Sequence, residues 1–319
     1  MSPAVIALRA RRDESEFGRA LLAGLLRMPK RIPSKFFYDD AGSRLFERIT
    51  ELPEYYPTRI ELGLLEAHAV EIASLVGPDA ELVEFGAGSL RKVRLLLDAM
   101  ERPRGYVPID ISGEFLLGMA ATLEREYDGL RVHPIVADFT RPVVIGGRVG
   151  GAGRRVGFFP GSTIGNFAPS DAIAFLRNAR RALDSGPLLI GVDLVKEAAL
   201  LHAAYNDKQG VTAAFNKNLL ARANSELGAD FDLDGFGHYA CYDPVAQKIE
   251  MYLISMARQR VRVCGEIVDF ALGEAIHTED SHKYTKESFA ALATEAGYVQ
   301  RRVWTDAGRL FSVQWLEPA

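Results

Sequence analysis

A glycine turn and two carboxylates stand at the ends of successive strand-like runs. Glu84-Phe-Gly-Ala-Gly-Ser89 lies where an apolar run gives way to helical spacing, Asp110 closes the next run, and Asp138 closes the one after it. Glycines at such a junction let the backbone approach a ligand that a side chain would block. A carboxylate at Asp110 suits both hydroxyls of a ribose, one at Asp138 suits an adenine amino group, and Phe139 offers an aromatic face beside it. A dinucleotide site would want a third glycine, so that pyrophosphate rests on the helix N-terminus. Here Lys92 follows Gly86 and Gly88 instead. A lysine can pair a carboxylate, so S-adenosylmethionine is expected as the bound group, ahead of a nicotinamide dinucleotide.

A second set of residues offers polar groups to a small substrate. In His277-Thr-Glu-Asp-Ser-His282, Glu279 and Ser281 lie two apart, so an extended backbone projects both from one face and turns Asp280 away. A carboxylate and a hydroxyl on one face offer an acceptor and a donor together. The bland reading of the same segment is a solvated loop. A metal site built on His277 and His282 is disfavoured, because their odd spacing puts the rings on opposite faces of a strand. Asn166 follows a strand in a Gly-Asn turn, where an asparagine often serves only to tolerate left-handed backbone. Tyr38, Tyr55 and Tyr205 each read, taken alone, as ordinary half-buried tyrosines. Met251 reads equally as core filler and as a pocket wall.

The elements that must position these residues alternate strand and helix. The runs 81–85, 106–110, 131–138, 156–159 and 188–193 read as five strands. Between them Val93, Leu96, Leu97 and Met100 fall at helical spacing, 113–127 reads as a helix, and a further helix is expected with Ser170 as N-cap and Ile173, Leu176, Ala179 and Leu183 as its buried stripe. Such alternation predicts a parallel sheet covered on both faces. From about 196 to 283 the pattern lapses, and only 248–255 and 259–264 read as strands. It resumes with a helix around Phe289, Leu292, Ala293 and Ala296, closed by Gly297, and with strands at 299–304 and 311–315. These complete a seven-stranded, mostly parallel sheet. Residues 60–195 with 284–319 are thus expected to form an α/β domain. Residues 1–59 with the insertion 196–283 are expected to form a smaller α+β substrate-binding domain, roofing the strand ends.

Composition excludes several classes. The chain has 319 residues, 48% hydrophobic and 25% charged, with a formal net charge of −4. Its basic residues cluster only briefly, at 9–12 and 301–302, so no phosphate-tracking stripe exists and nucleic acid is not an expected partner. Cys241 and Cys264 share no metal-type spacing, and a disulfide framework is not expected. The apolar stretch 4–8 is too short for a signal-peptide core, and no run reaches membrane-spanning length. The expectation is a cytoplasmic monomer with a small-molecule substrate and no membrane partner. The glycine-rich stretch 146–155 reads as a surface loop.

Uninterrupted strings are more specific than the fold. Lys35-Phe-Phe-Tyr-Asp39, Leu52-Pro-Glu-Tyr-Tyr-Pro-Thr-Arg59, Gly161-Ser-Thr-Ile-Gly-Asn166, Gly210-Val-Thr-Ala-Ala-Phe-Asn216 and Asp230-Phe-Asp-Leu-Asp234 together resemble the histidine-specific methyltransferases of ergothioneine biosynthesis. The resemblance runs from about Pro29 to the C-terminus. It implies a class I, Rossmann-like methyltransferase fold and three transfers from S-adenosylmethionine to the α-amine of histidine, giving hercynine without a metal. Carried over by position, it puts Gly86, Lys92, Asp110, Asp138 and Phe139 around the donor. Tyr38, Tyr55, Gly161, Asn166 and Tyr205 would surround the α-amino and carboxylate groups, Glu279 and Ser281 the imidazole, and Met251 the pocket wall. Tyr38 is the candidate for assisting deprotonation or holding the nitrogen, with Asn166 orienting it. Ser89-Leu90-Arg91 departs from the polar residues expected after the second glycine. The alternatives are the same fold acting on another amine, such as tryptophan or a derivative, a non-catalytic S-adenosylmethionine-binding regulator, and an oxidoreductase.

Overall fold

The computed structural model describes residues 15–111, 113–151 and 153–319; the apolar stretch 4–8 and the basic run 9–12 lie outside the described residues. In chain order the strands are β1 (Lys30–Arg31), β2 (Glu81–Phe85), β3 (Gly105–Asp110), β4 (Arg131–Val132), β5 (Ile135–Val136), β6 (Arg155–Phe159) and β7 (Leu188–Asp193). They continue as β8 (Phe236–Asp243), β9 (Lys248–Ser255), β10 (Gln259–Val263), β11 (Glu266–Phe270), β12 (Ala275–His282), β13 (Tyr298–Thr305) and β14 (Phe311–Pro318). The chain divides into two compact units. One runs up to Tyr56 and again over Glu197–Ser281, and the other comprises Pro57–Lys196 and His282–Ala319. Among the described residues no helix is long and apolar enough to cross a membrane, and both cysteines are free.

The unit of Pro57–Lys196 and His282–Ala319 is built on an eight-stranded sheet ordered β13-β14-β7-β6-β2-β3-β4, with β5 also pairing β3. The strands from β7 to β4 are parallel, and β14 and β13 add an antiparallel end. The run 131–138 enters as two pieces, β4 and β5, because Pro134 has no N–H to offer the ladder. His133 N–H still reaches the Tyr106 carbonyl at 2.8 Å, and Ala137 N–H the Asp110 carbonyl at 3.0 Å. Strand side chains are buried on both faces, which is why these strands read as continuous apolar runs. Leu82, Tyr106, Phe158 and Trp315 face one core; Val83, Phe85, Ile109, Phe159 and Ile190 face the other. Strand order reverses between β2 and β6, so the loops following these two parallel neighbours open at the switch point where such sheets bind ligands.

One helix start differs from expectation. The helix Pro169–Ala182 is capped by Ala168 without a side-chain hydrogen bond, and Ser170 lies within its first turn. Pro169 accounts for this, since its fixed φ and missing N–H suit the first helical position. Its buried stripe is Ala172, Phe175, Leu176, Ala179 and Ala182, with Leu183 buried just beyond and Ile173 only partly covered.

The glycine-rich stretch does more than cross the surface. Arg155 opens β6 fully buried and pairs with buried Glu81 on β2. Arg155 also donates to the carbonyls of Ala182 and Gly146, and Glu81 accepts from Val149 N–H. Asp193, which ends β7, is flanked by two buried lysines: Lys196, and Lys283 at 2.8 Å. Burial would raise the Asp193 pKa, but these two ammonium groups outweigh it and hold the carboxyl below its usual range. Burial pushes Lys196 down to about 8 against the pull of Asp193. Close by in the chain, Tyr284 N–H reaches the Asp193 carbonyl and Val195 N–H reaches the Tyr284 carbonyl.

The other unit carries a four-stranded sheet, β1-β12-β9-β8, and a separate β10-β11 hairpin. β1 is parallel to β12 and β8 antiparallel to β9. The alternation of 248–255 is real, with Ile249, Met251, Leu253 and Ser255 buried in turn. Around 196–247 and 265–282 the fold has elements the periodicity did not reveal: helices Ala198–Tyr205 and Val211–Leu227, and strands β8, β11 and β12. The long helix buries Thr212, Asn216 and Asn218 beside Phe215, Leu219 and Leu220, so its inward face is not an apolar stripe. Asn218 donates to the Asp39 carboxylate at 2.7 Å, and Phe37 stacks on Phe215 at 4.5 Å.

Glu84 on β2 is buried, and the Tyr106 hydroxyl donates to its carboxyl at 2.5 Å. Burial pushes its pKa up to about 8 against that hydrogen bond and the nearby Lys92 charge. Between the ordinary value and about 8 the folded chain holds a proton that the unfolded chain has released, so this group lowers stability as pH rises through that window. Glu84→Gln keeps the acceptor for Tyr106 and removes the titration. Its stability relative to wild type should rise from pH 5 to pH 8 by on the order of a few kcal/mol, read by chemical denaturation. A difference independent of pH would mean that Glu84 is not held neutral.

Candidate active site

The donor-side residues all lie in the unit of Pro57–Lys196 and His282–Ala319. Gly86 follows β2 with φ +77°, and a Cβ built there would meet the Phe139 ring at 3.4 Å. Gly86 and Phe139, expected around one ligand, are therefore neighbours. A Cβ on Gly88 would meet no atom within 4 Å, so this side of the turn borders open space. The turn is tied to the adjacent strand through Gly86 N–H and the Ile109 carbonyl at 2.8 Å, one residue before Asp110 at the end of β3. Asp138 accepts from both the backbone N–H and the hydroxyl of Thr140, at 3.0 and 2.5 Å, which fixes its carboxylate in a local turn. Phe139 packs edge-on against Phe159 and Phe175, so its ring plane is set by the core. An open glycine turn, a carboxylate one strand away and a fixed aromatic ring fit an adenosine-bearing donor.

Lys92 and Gly161 are joined by a residue that sequence reasoning missed. Lys92 Nζ lies 2.6 Å from Glu61 Oε2, and Gly161 N–H donates to both Glu61 oxygens at 2.9 Å. Gly161 has φ +82°, and Ser162 follows at φ +58° with its hydroxyl accepting from Asp193 N–H at 2.8 Å. Asn166 ends the short 3-10 turn Thr163–Asn166, half-buried. A Cβ on Gly165 would lie 2.7 Å from the His282 carbonyl, so the turn packs tightly on that backbone. The string Gly161-Ser-Thr-Ile-Gly-Asn166 is thus a fixed loop after β6, next to the Gly86 turn after β2.

The remaining residues lie in the unit that includes Glu197–Ser281. Tyr38 closes the 3-10 turn Ser34–Phe37 and packs edge-on against Phe46 and Phe215, each at 5.7 Å. Phe46 also meets Tyr55, so two of the expected tyrosines share one aromatic neighbour. The Tyr205 hydroxyl donates to Ser281 Oγ at 2.8 Å, joining a helix end to strand β12. Glu279 and Ser281 are both buried on that strand, which is part of a sheet and not a solvated loop. Met251 is fully buried on β9, and its carbonyl accepts from Thr278.

Asp280 has separate partners: Arg31 at 2.5 Å, Lys248 at 2.7 Å and His277 at 3.2 Å. Burial would raise its pKa, but the hydrogen bonds from His277 and Lys248 outweigh this and hold it well below the usual carboxylate range. Glu250, His277 and Asp280 are close enough together for a metal ion. Lys248 bridges both carboxylates, so their charge is already balanced by side chains. His277 meets these acids in place of the His282 pairing weighed from the sequence.

A second missed residue supports Tyr205. His238 Nε2 lies 2.9 Å from the Tyr205 carbonyl, which can only accept, so Nε2 carries the proton and Nδ1 accepts from the Asn216 amide at 2.9 Å. Burial lowers the His238 pKa and favours this neutral form, against the pull of the Tyr205 carbonyl. Neither Glu61 nor His238 falls in a distinctive string. Their partners are brought to them by the fold.

Comparison with known proteins decides the family. The family model described as histidine-specific, SAM-dependent methyltransferase matches residues 17–318. The chain belongs to this family. Among its relatives, this histidine-specific methyltransferase family member is 44% identical over 294 residues to histidine N-alpha-methyltransferase of Mycolicibacterium smegmatis, covering 90% of each chain. It is 33% identical over 294 residues to ergothioneine biosynthesis protein 1 of Neurospora crassa, covering 87% of this chain and 32% of that protein. It is also 25% identical over 348 residues to a 4-dimethylallyltryptophan N-methyltransferase of Claviceps purpurea, covering 95% of both.

On the expectation that Asp110 accepts from both ribose hydroxyls, Asp110→Ala should weaken binding of S-adenosylhomocysteine by about tenfold or more, measured by calorimetry. An unchanged Kd would remove Asp110 from the donor site.

Proposed function

We propose that this protein transfers methyl groups from S-adenosylmethionine to the α-amino group of L-histidine, three times, to give hercynine for ergothioneine biosynthesis. The observation that carries the reading is strand β12. It holds a buried carboxylate, Glu279, two positions from a buried hydroxyl, Ser281, and Ser281 is fixed by Tyr205. In a histidine-specific family, an acceptor and a second polar group on one buried strand suit the two ring nitrogens of imidazole.

Bound S-adenosylmethionine supplies a methyl carbon attached to a sulfonium, and the chain's own residues do the rest. Asp110 accepts from the ribose, Asp138 from the adenine amino group, and Phe139 covers the base. Lys92 stands near the donor's carboxylate end. The acceptor nitrogen needs a free lone pair, and the carboxylate beside a free amino acid's α-ammonium stabilises the charged form, so the site must favour loss of the proton. The Asn166 side-chain oxygen and the Gly161 carbonyl accept N–H bonds and aim the lone pair, and the Tyr38 hydroxyl holds the nitrogen or receives its proton. Tyr55 holds the carboxylate end, Tyr205 acts through the Ser281 hydroxyl to which it donates, and Met251 closes the wall. After three transfers the nitrogen has no lone pair, so the product is its own stop signal.

Purified protein with labelled adenosylmethionine should convert histidine to hercynine in a mass-spectrometric screen of the free amino acids, with tryptophan among the negatives. Glu279→Ala should raise the histidine KM by about tenfold or more while changing kcat much less. A KM equal to wild type would remove Glu279 from imidazole recognition, and turnover of tryptophan in place of histidine would overturn the substrate.

A further inference from the structure

Glu61 is a buried carboxylate where one helix meets another helix, a loop and a strand. It is 1% exposed on the helix Tyr56–Ala67, far in the chain from everything it touches. One oxygen holds the Lys92 ammonium at 2.6 Å, and both oxygens accept from Gly161 N–H. Strand β7 makes room for it: a Cβ on Gly191 would lie 2.2 Å from Glu61 Oε1 and 3.1 Å from its carboxyl carbon. Gly161 in turn lies close to Lys92, whose Nζ would be 3.5 Å from a Cβ placed there. One carboxylate therefore contacts the first turn of the helix behind the Gly86 loop and the second residue of the loop after β6.

The contact fixes a peptide, not merely a side chain. Gly161 N–H is held by Glu61, and Ser162 Oγ is held by Asp193 N–H, so the Gly161–Ser162 peptide between them is restrained on both flanks. The oxygen of that peptide is the Gly161 carbonyl. Charge favours the arrangement as well. Glu84 is a second buried carboxyl that senses both Lys92 and Glu61, and keeping its proton leaves Lys92 and Glu61 as a balanced pair.

We propose that Glu61 is a positioning residue for methyl transfer, registering the donor-side Lys92 and the acceptor-side Gly161 loop through one buried carboxylate seated in the notch of Gly191. The proposal rests on the substrate reading above for its kinetic test, but its geometric test is independent of substrate. Without Glu61 the Gly161 peptide can turn and the amine loses its aim, while Asp110, Asp138 and Phe139 keep their places and Lys92, released from Glu61, keeps its charge for the donor's carboxylate end. The expected signature is a loss in kcat without a matching loss in donor binding.

The test compares wild type, Glu61→Gln and Gly191→Ala. In Glu61→Gln, kcat with histidine should fall by about tenfold or more, with the Kd for S-adenosylhomocysteine within about threefold of wild type. The Gly161 amide proton of the labelled protein should move upfield in NMR, as its acceptor changes from a charged to a neutral oxygen. Gly191→Ala, which drives a methyl group into the carboxylate, should reproduce the kcat loss and serves as the reading if Glu61→Gln does not fold. A kcat within twofold of wild type in both variants, or a fall in kcat matched by equal losses in donor binding and melting temperature, would overturn the positioning role. An unmoved Gly161 resonance would overturn the geometry. Wild type inert toward histidine would sink the substrate reading alone, and the kinetic comparison would then use the amine that wild type does methylate.

Discussion

A carboxyl group taken out of water must find a cation or keep its proton, and the unit around the eight-stranded sheet uses both solutions within a short stretch of its interior. Glu81 meets Arg155, Glu61 meets Lys92, and Asp193 meets Lys196 and Lys283, while Glu84 is held neutral against Tyr106. Apart from Lys196, which lies three residues from Asp193, these partners join separate elements of the chain. Arg155 and Glu81 tie the entry of β6 to that of β2, and Lys92 and Glu61 tie two helices to the loop that leaves β6. The strand ends at the switch point are consequently held by charge as well as by apolar packing. A turn such as Gly86–Gly88 can then stay open toward a ligand without losing its shape.

The α/β part of the fold was legible because its strands are buried on both sides. Runs such as 81–85 and 188–193 have no polar alternation to blur them, and helices such as Leu90–Ala99 present a clear inward stripe. The insertion was not legible for the opposite reason. The helix Val211–Leu227 turns asparagines inward, where they bond to Asp39, His238 and a backbone carbonyl, so a search for apolar spacing passes over it. Strand β12 hides behind charged and hydroxyl residues that are nonetheless buried. Ser170 was read as a helix cap because serine commonly is one, but Pro169 beside it already satisfied that helix start.

For the candidate site, legibility followed the strings. Tyr38, Tyr55, Tyr205, Gly161 and Asn166 lie within or near distinctive runs, whereas Glu279 and Ser281 stood out by spacing alone. Residues that act only by holding others had no such signal. His238 supports Tyr205 through a backbone carbonyl, and any residue type leaves that carbonyl in place, so no pattern in the sequence marks the contact. Glu61 meets Gly161 across a hundred positions of chain.

Asp193 has an implication for how such a chain could have arisen. Its two lysines flank the places where the insertion departs and returns, at Lys196 and just after Ser281, and Tyr284 closes the backbone there by direct hydrogen bonds. The stem is thus sealed locally, like the neck of a bag. The entropy of closing a loop grows only slowly with its length. What hangs beyond a sealed neck can therefore be enlarged, trimmed or exchanged over generations without disturbing the strand and helix on either side of the knot.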